Sequence, residues 1–315
     1  MTGLRFFASP RFWRGALPAL SLTFVLLGVF WLQPRAMSYF GLNLLFNLAI
    51  PIALATIAQM FVIAVNDLDL SIGSFVSLVA CIGATWLQET PLLGIAALLG
   101  CIAVYACLGA LIYIRQLPSI VVTLGMSFVW SGCAVLLLPT PGGSAPDWIR
   151  TLVTYKPPYV PMPLIAAAAL ALIVHFALMR TSWGVLMRGV GGNEKAITRA
   201  GWSVLKLKMT MYALTAVFGI LAGLTLVGLA TSADANIALR YTLLSIAGVI
   251  LGGGEFVGGR ISPVGAVLGA MTLTLTASFL SFLRISPDWQ IGAQGAVLII
   301  VLALRAVVNR MEARR

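Results

Sequence analysis

Apolar runs of roughly twenty residues, the length of helix that spans a hydrocarbon core of about 30 Å, recur along the whole chain. Ten can be counted: 15–33, 43–65, 71–88, 92–114, 117–138, 162–179, 209–230, 242–258, 262–283 and 289–308. Helices satisfy their own backbone hydrogen bonds in lipid. The pattern therefore predicts an all-α polytopic membrane protein of about ten transmembrane helices, forming one transmembrane domain over residues 1–315. Two runs, 71–88 and 242–258, are short or interrupted by glycine. They predict one or two broken or re-entrant helices.

Polar sequence is scarce in a chain that is 60% hydrophobic and 9% charged, so its placement is informative. The island Arg180–Lys208 holds six of the twenty Lys and Arg residues, beside a Gly-Gly-Asn-Glu turn. With ten crossings and a cytoplasmic N-terminus, fifteen of those twenty residues fall inside and five outside, as the positive-inside rule requires. Both termini and the island then face the cytoplasm, which predicts a multi-pass protein of a bacterial inner membrane. The net charge of +11 is a consequence of topology, since the basic residues sit at membrane edges and form no continuous nucleic-acid-binding face. The opening MTGLRFFASPRFWRG is similar to a signal n-region, but the apolar run after it is long and lacks a small-residue cleavage site. It reads as an uncleaved first span. Cys81, Cys101, Cys107 and Cys133 lie inside apolar runs and read as buried free thiols.

Three constellations stand out. In Asn66-Asp67-Leu68-Asp69-Leu70-Ser71-Ile72-Gly73-Ser74, two carboxylates stand between apolar runs. Each would cost about 2.5–3.5 kcal/mol at a helix centre. Asp69 and Ser71 either cap the third run or, with Asn66, Asp67, Gly73 and Ser74, line a path through the membrane. In Leu251–Pro263, five glycines and a proline exclude a regular lipid-facing helix, so Gly253 and Gly254 mark a break against protein or a water-filled cavity. Glu255 and Arg260 there pair with each other or sit in headgroups. In Asn193–Gly201, a short surface helix carries an apolar stripe at Ala196, Ile197 and Ala200, with Gly191 and Gly192 permitting the turn before it and Gly201 ending it. The proline-rich loop 139–161, with its aromatic residues, is either a stiff connector or a landing surface for an outside partner. His175 is alone in its run and reads as a packed residue. No P-loop, no nucleophile–base pair and no metal cluster is visible, so neither catalysis nor a cofactor is expected. Energy must come from a partner or an ion gradient.

Four blocks, in order, carry a family resemblance: Asp69-Leu70-Ser71-Ile72-Gly73-Ser74, Pro118–Gly125, GVGGNEKAITRAG at 189–201, and Gly252-Gly253 with Gly258-Gly259-Arg260-Ile261-Ser262. The chain resembles the membrane permease subunit of ribose-type bacterial ABC importers, related more distantly to branched-chain amino acid permeases. That resemblance implies a permease domain working as a pair, with either an identical copy or a second permease. It also implies a cytoplasmic ATP-binding subunit and a periplasmic substrate-binding protein. The island 180–208 becomes the coupling loop, with Gly191, Gly192, Asn193, Glu194, Lys195, Ala196, Arg199 and Gly201 contacting the ATPase. The implied solute is small and polar, a monosaccharide first and a nucleoside, an autoinducer-type furanose or a branched-chain amino acid next. Asn66-Asp67-Leu68 replaces the family's usual Gly-Gly-Ile, and Thr242-Leu243-Leu244-Ser245 replaces a stretch that commonly holds two carboxylates. An ion-coupled secondary carrier, which would move its solute without an ATPase, is the reading from another class.

Overall fold

The computed structural model describes residues 10–286 apart from Thr231 and Val257, with isolated positions between 289 and 303. The run 289–308, read above as a tenth crossing, falls outside the continuously described residues. The helices are α1 (Pro10–Leu32), α2 (Tyr39–Asn47), α3 (Ala49–Ile63), α4 (Ile72–Ala84), α5 (Trp86–Glu89), α6 (Pro91–Arg115), α7 (Ser119–Leu137), α8 (Asp147–Thr154), α9 (Met162–His175), α10 (Ser182–Gly192), α11 (Glu194–Arg199), α12 (Val204–Leu229), α13 (Tyr241–Leu251) and α14 (Pro263–Phe282). No strand occurs among the described residues, and Gly142 and Ala233 form an isolated antiparallel bridge.

Six helices among the described residues are long and apolar enough to cross a membrane, or seven when α2 and α3, bent by 40°, count as one span. This count covers the described residues alone, which leave out most of the run 289–308. Helix α1 has 23 residues, Pro10–Leu32, about 34 Å of rise. Helix α13 has 11 residues, about 16 Å of rise, where a full crossing needs about 30 Å. The rest of the expected run 242–258 leaves helical geometry at Gly252 and Gly253.

Helix α3 is apolar on all sides and is buried accordingly, every residue but Ile50 being covered. It packs against α12, α13 and α14, while α12 also packs against α4 and α6. The periphery is apolar as well: Phe24, Leu92, Phe128, Leu136 and Ile173 are exposed. Polar side chains such as Gln59, Asp69, Ser77, Thr123 and Thr215 are buried. An apolar exterior around a partly polar interior is the arrangement a bilayer selects.

The thiols are free, as expected, but only Cys81 and Cys101 are buried, while Cys107 and Cys133 lie on exposed faces of α6 and α7. The proline-rich loop is no bare connector. It contains α8, whose Ile149 and Val153 pack beside Gly228 of α12. Trp148, Tyr155 and Tyr159 stay exposed.

Candidate functional site: two helix breaks and a charged surface

Helix α4 begins inside the bundle. Its first turn lies beside the middle of α12, where a Cβ on Gly219 would meet Phe75 at 2.7 Å and Ile72 at 3.2 Å. The segment leading into it, 66–71, is irregular backbone among helices, so its polar groups need partners from side chains. They have them. On α7, Ser119 and Thr123 stand one turn apart: Ser119 Oγ accepts from Leu68 N at 3.1 Å, and Thr123 Oγ1 accepts from Leu70 N at 3.0 Å. From α3, the fully buried Gln59 reaches Asp69, and with its amide nitrogen turned toward the Asp69 carbonyl it pairs both backbone groups at 3.0 and 3.2 Å.

The Asp69 carboxylate sits before α4, whose N-terminus favours negative charge. One oxygen accepts from Ser71 N at 2.7 Å and Ser71 Oγ at 2.6 Å, and the other accepts from Tyr105 Oη at 2.9 Å. Burial pushes this carboxyl above the usual range, and the Ser71 and Tyr105 hydrogen bonds pull it back. The expected capping role takes a different form. Ser71 is the N-cap residue, but its hydroxyl donates to Asp69 and makes no cap bond to α4. The site is buried completely at Asp69 and Ser71, with Ser74 also buried on α4. Ring packing of Tyr105 with Phe75 and Trp130 closes one side.

The start of α13 meets the start of α4. Helix α13 also begins inside the bundle, and Gly73 N donates to Thr242 Oγ1 at 3.0 Å. A Cβ on Gly73 would lie 2.6 Å from that hydroxyl and 2.7 Å from the Ala238 and Leu239 carbonyls, so the two helix starts touch through this glycine. Ser77 Oγ accepts from Ala238 N at 3.0 Å. Beyond α13, Gly252 and Gly253 join Arg188, Glu255, Arg260 and Ser262 around an open cleft of about 570 Å³. Gly254 N donates to Val249 O in the same turn, and Glu255 pairs with Arg260 at 3.3 Å.

At the α11 end of the bundle the break and the basic island come together. Asn66, in left-handed backbone at φ 61°, donates to Gly191 O at 2.7 Å and accepts from Gly258 N at 3.1 Å. Gly191 was expected to form a turn with Gly192, yet both are the last residues of α10. The requirement at Gly191 is close approach: a Cβ there would collide with the Ala64 carbonyl and sit 2.9 Å from Gly259. Asn193 caps α11, its Oδ1 accepting from Ala196 N at 3.0 Å, and Gly201 ends the turn at φ 84° as expected. Of the expected apolar stripe only Ile197 packs, over Gly189, while Ala196 and Ala200 are exposed with Lys195 and Arg199.

Asp67 has a partner that the sequence did not disclose. Lys208 Nζ lies 3.3 Å from Asp67 Oδ2 and 3.5 Å from Glu194 Oε1, and Tyr212 Oη donates to the same Asp67 oxygen at 3.3 Å. Burial raises the Asp67 carboxyl above its usual range, opposed chiefly by the Lys208 charge. Gln59 and Tyr105 thus join the residues named from the sequence, while Ser119 and Thr123 of the block Pro118–Gly125, Thr242 and Lys208 gain partners that the sequence did not disclose. The i, i+4 spacing of Ser119 and Thr123 in an apolar helix was the one readable signal among them.

Comparison with known proteins places this geometry in a family. The model for branched-chain amino acid transport system / permease component matches residues 41–302. The ribose import permease protein RbsC of Escherichia coli K12 is 27% identical over 278 residues, covering 84% of this chain and 86% of its own length. The autoinducer 2 import system permease protein LsrD of Salmonella paratyphi B is 27% identical over 306 residues, covering 94% and 92%. The galactose/methyl galactoside import permease protein MglC of Haemophilus influenzae is 27% identical over 264 residues, covering 75% and 77%. No solved structure matches. Both helix breaks, the junction at Asn66 and the surface helix α11 lie within the matched residues, and the chain belongs to the branched-chain amino acid transport system permease family.

Proposed function

We propose that the chain is the permease subunit of an ABC importer that carries a monosaccharide across the bacterial inner membrane, driven by a separate ATP-binding subunit. The family match and the import permeases among its relatives support the class. The observation that carries the mechanism is α11, a helix with no buried side chain that follows directly on the end of α10, where Asn66 of the first break holds Gly191 and reaches the glycine turn at Gly258. A load applied to α11 has a short route to the interior.

In this reading the chain crosses about ten times, both termini are cytoplasmic, and residues 180–208 form the cytoplasmic coupling loop of a single permease domain. Gly191, Gly192, Asn193, Glu194, Lys195, Ala196, Arg199 and Gly201 present α11 to the ATPase. Asn66, Asp67, Asp69, Ser71, Gly73 and Ser74, with Gly253 and Gly254, form the moving frame of the solute path. A second permease, identical or related, completes that path, and a periplasmic binding protein delivers the solute. ATP drives the cycle because the ATPase binds the outward-open and inward-open forms with different affinity. A furanose signal is the second solute class, favoured by the match to the autoinducer 2 permease over 94% of this chain.

The test is purification of the tagged chain in mild detergent, mass spectrometry of what accompanies it, and uptake of labelled D-ribose and D-galactose by the reconstituted complex. A P-loop ATPase in the complex and ATP-dependent uptake are expected. A lone chain that transports under a proton or sodium gradient would overturn the reading in favour of a secondary carrier.

A further inference from the structure

Lys208 belongs to α12, yet its ammonium group lies between carboxylates of two other segments. Asp67 is in the break ahead of α4, and Glu194 is the first residue of α11. The Lys208 and Asp67 side chains are only 10% and 11% exposed, whereas Glu194 is 44% exposed. The Lys208–Asp67 contact is therefore the shielded one, with Tyr212 Oη donating to the same carboxylate. Asp67 is also adjacent to Asn66, which holds Gly191 and Gly258. One buried cation consequently ties three chain segments at the place where α11 joins the bundle.

We propose that Lys208 and Asp67 are positioning residues that lock α11 to the first break, so that the two move as one body when the ATPase engages. This rests on the importer reading. Removing one partner alone strands a shielded charge, which is strongly destabilising, so single neutral variants confuse folding with coupling. The paired neutral variant Asp67→Asn with Lys208→Met removes both charges at nearly constant volume and leaves Glu194 in water. Lys208→Arg keeps a cation within reach of both carboxylates.

The experiment places spin labels at Ala200, at the end of α11, and at Leu117, at the foot of α7. The background has Cys81, Cys101, Cys107 and Cys133 changed to alanine. Distances are measured in the complex without nucleotide and trapped with ATP and vanadate. The wild-type background and Lys208→Arg should give the same distance in both states. The paired neutral variant should show a nucleotide-dependent shift of about 5 Å, roughly one helical turn. A merely structural role would broaden the distances in both states alike, which would overturn the proposal. An unshifted paired variant in a complex that retains its ATPase would overturn the positioning role alone. Absence of an ATPase from the wild-type complex would overturn the importer reading, and this lock with it.

Discussion

Replacing Thr123 with valine tests whether side chains hold the first break. Valine keeps the volume and the branched shape of threonine and removes only the hydroxyl. That oxygen accepts from Leu70 N at 3.0 Å and donates within reach of Ser119 O at 2.8 Å and Leu68 O at 3.1 Å. Thr123 is fully buried, so water cannot replace the lost acceptor without opening the packing. An unsatisfied buried amide costs about 1–3 kcal/mol. Taking about 2 kcal/mol, and 1.4 kcal/mol per factor of ten, local opening at Leu70 should rise by about 25-fold. The assay is hydrogen exchange of the 66–71 amides in detergent or nanodiscs, with Thr123→Ser as the control that keeps the hydroxyl. The expected result is exchange at Leu70 faster by an order of magnitude in Thr123→Val and near wild type in Thr123→Ser. Unchanged exchange in the valine variant, with both proteins folded, would refute the claim that α7 secures this segment.

Four further outcomes follow from the same geometry. Asp69→Ala leaves Ser71 N without an acceptor and Tyr105 Oη with only Ser71 Oγ, at 3.1 Å, in a fully buried site. It should cost about 3 kcal/mol or more, seen as loss of a monodisperse peak in size-exclusion chromatography, while Asp69→Asn, which keeps an acceptor, should retain it. Gly191→Ala forces a Cβ into the Ala64 carbonyl, whereas one on Gly192 meets the Gly258 oxygen at 3.7 Å. The first should lower the yield of folded protein and the second should not. Asn66→Gly tolerates the left-handed backbone but releases Gly191 and Gly258. Limited proteolysis at 253–260 should become several-fold faster. Glu194→Lys should lose ATPase co-purification while the protein stays folded, and normal co-purification with normal hydrolysis would remove Glu194 from the docking surface.

The polar island, the Asp69-Leu70-Ser71 block and the glycine run were legible because each violates the surrounding apolar pattern. A carboxylate or five glycines in such a chain needs a reason, and the reason is a break in the helix. What holds the breaks was not legible. Gln59, Tyr105 and Thr242 are single polar residues in apolar helices, and such residues acquire meaning only when the backbone they serve is known to be irregular. Lys208 read as one more positive charge at a membrane edge, since nothing in linear order connects it to Asp67. The length of α13 was hidden for another reason: its apolar run continues toward residue 258, and composition does not say that helical hydrogen bonding ends near Leu251.

The two breaks are secured by different chemistry, and that difference bears on which of them yields during a transport cycle. The first is cross-linked to α3, α6 and α7 by Gln59, Tyr105, Ser119 and Thr123. Moving it alone would break several buried hydrogen bonds together, so it should move with its neighbours as a unit. The turn after α13 carries hydrogen bonds of its own, Gly253 N to Ile250 O and Glu255 N to Arg260 O, with the Glu255–Arg260 pair at 3.3 Å, and Gly252 at its start lies in close backbone contact with Gly265 of α14. Gly258 N binds Asn66, and Gly259 stands in left-handed backbone against Arg188 and Ala64. A glycine turn that borders an open cleft, beyond its anchor at Gly252, should be displaced at lower cost than a segment hydrogen-bonded by side chains of three helices. Asn66 is shared by the stiff element and the compliant one. It is therefore where motion of α11 should divide: the first break carried along with its helices, and the glycine turn deforming to let α13 change its tilt against Gly73.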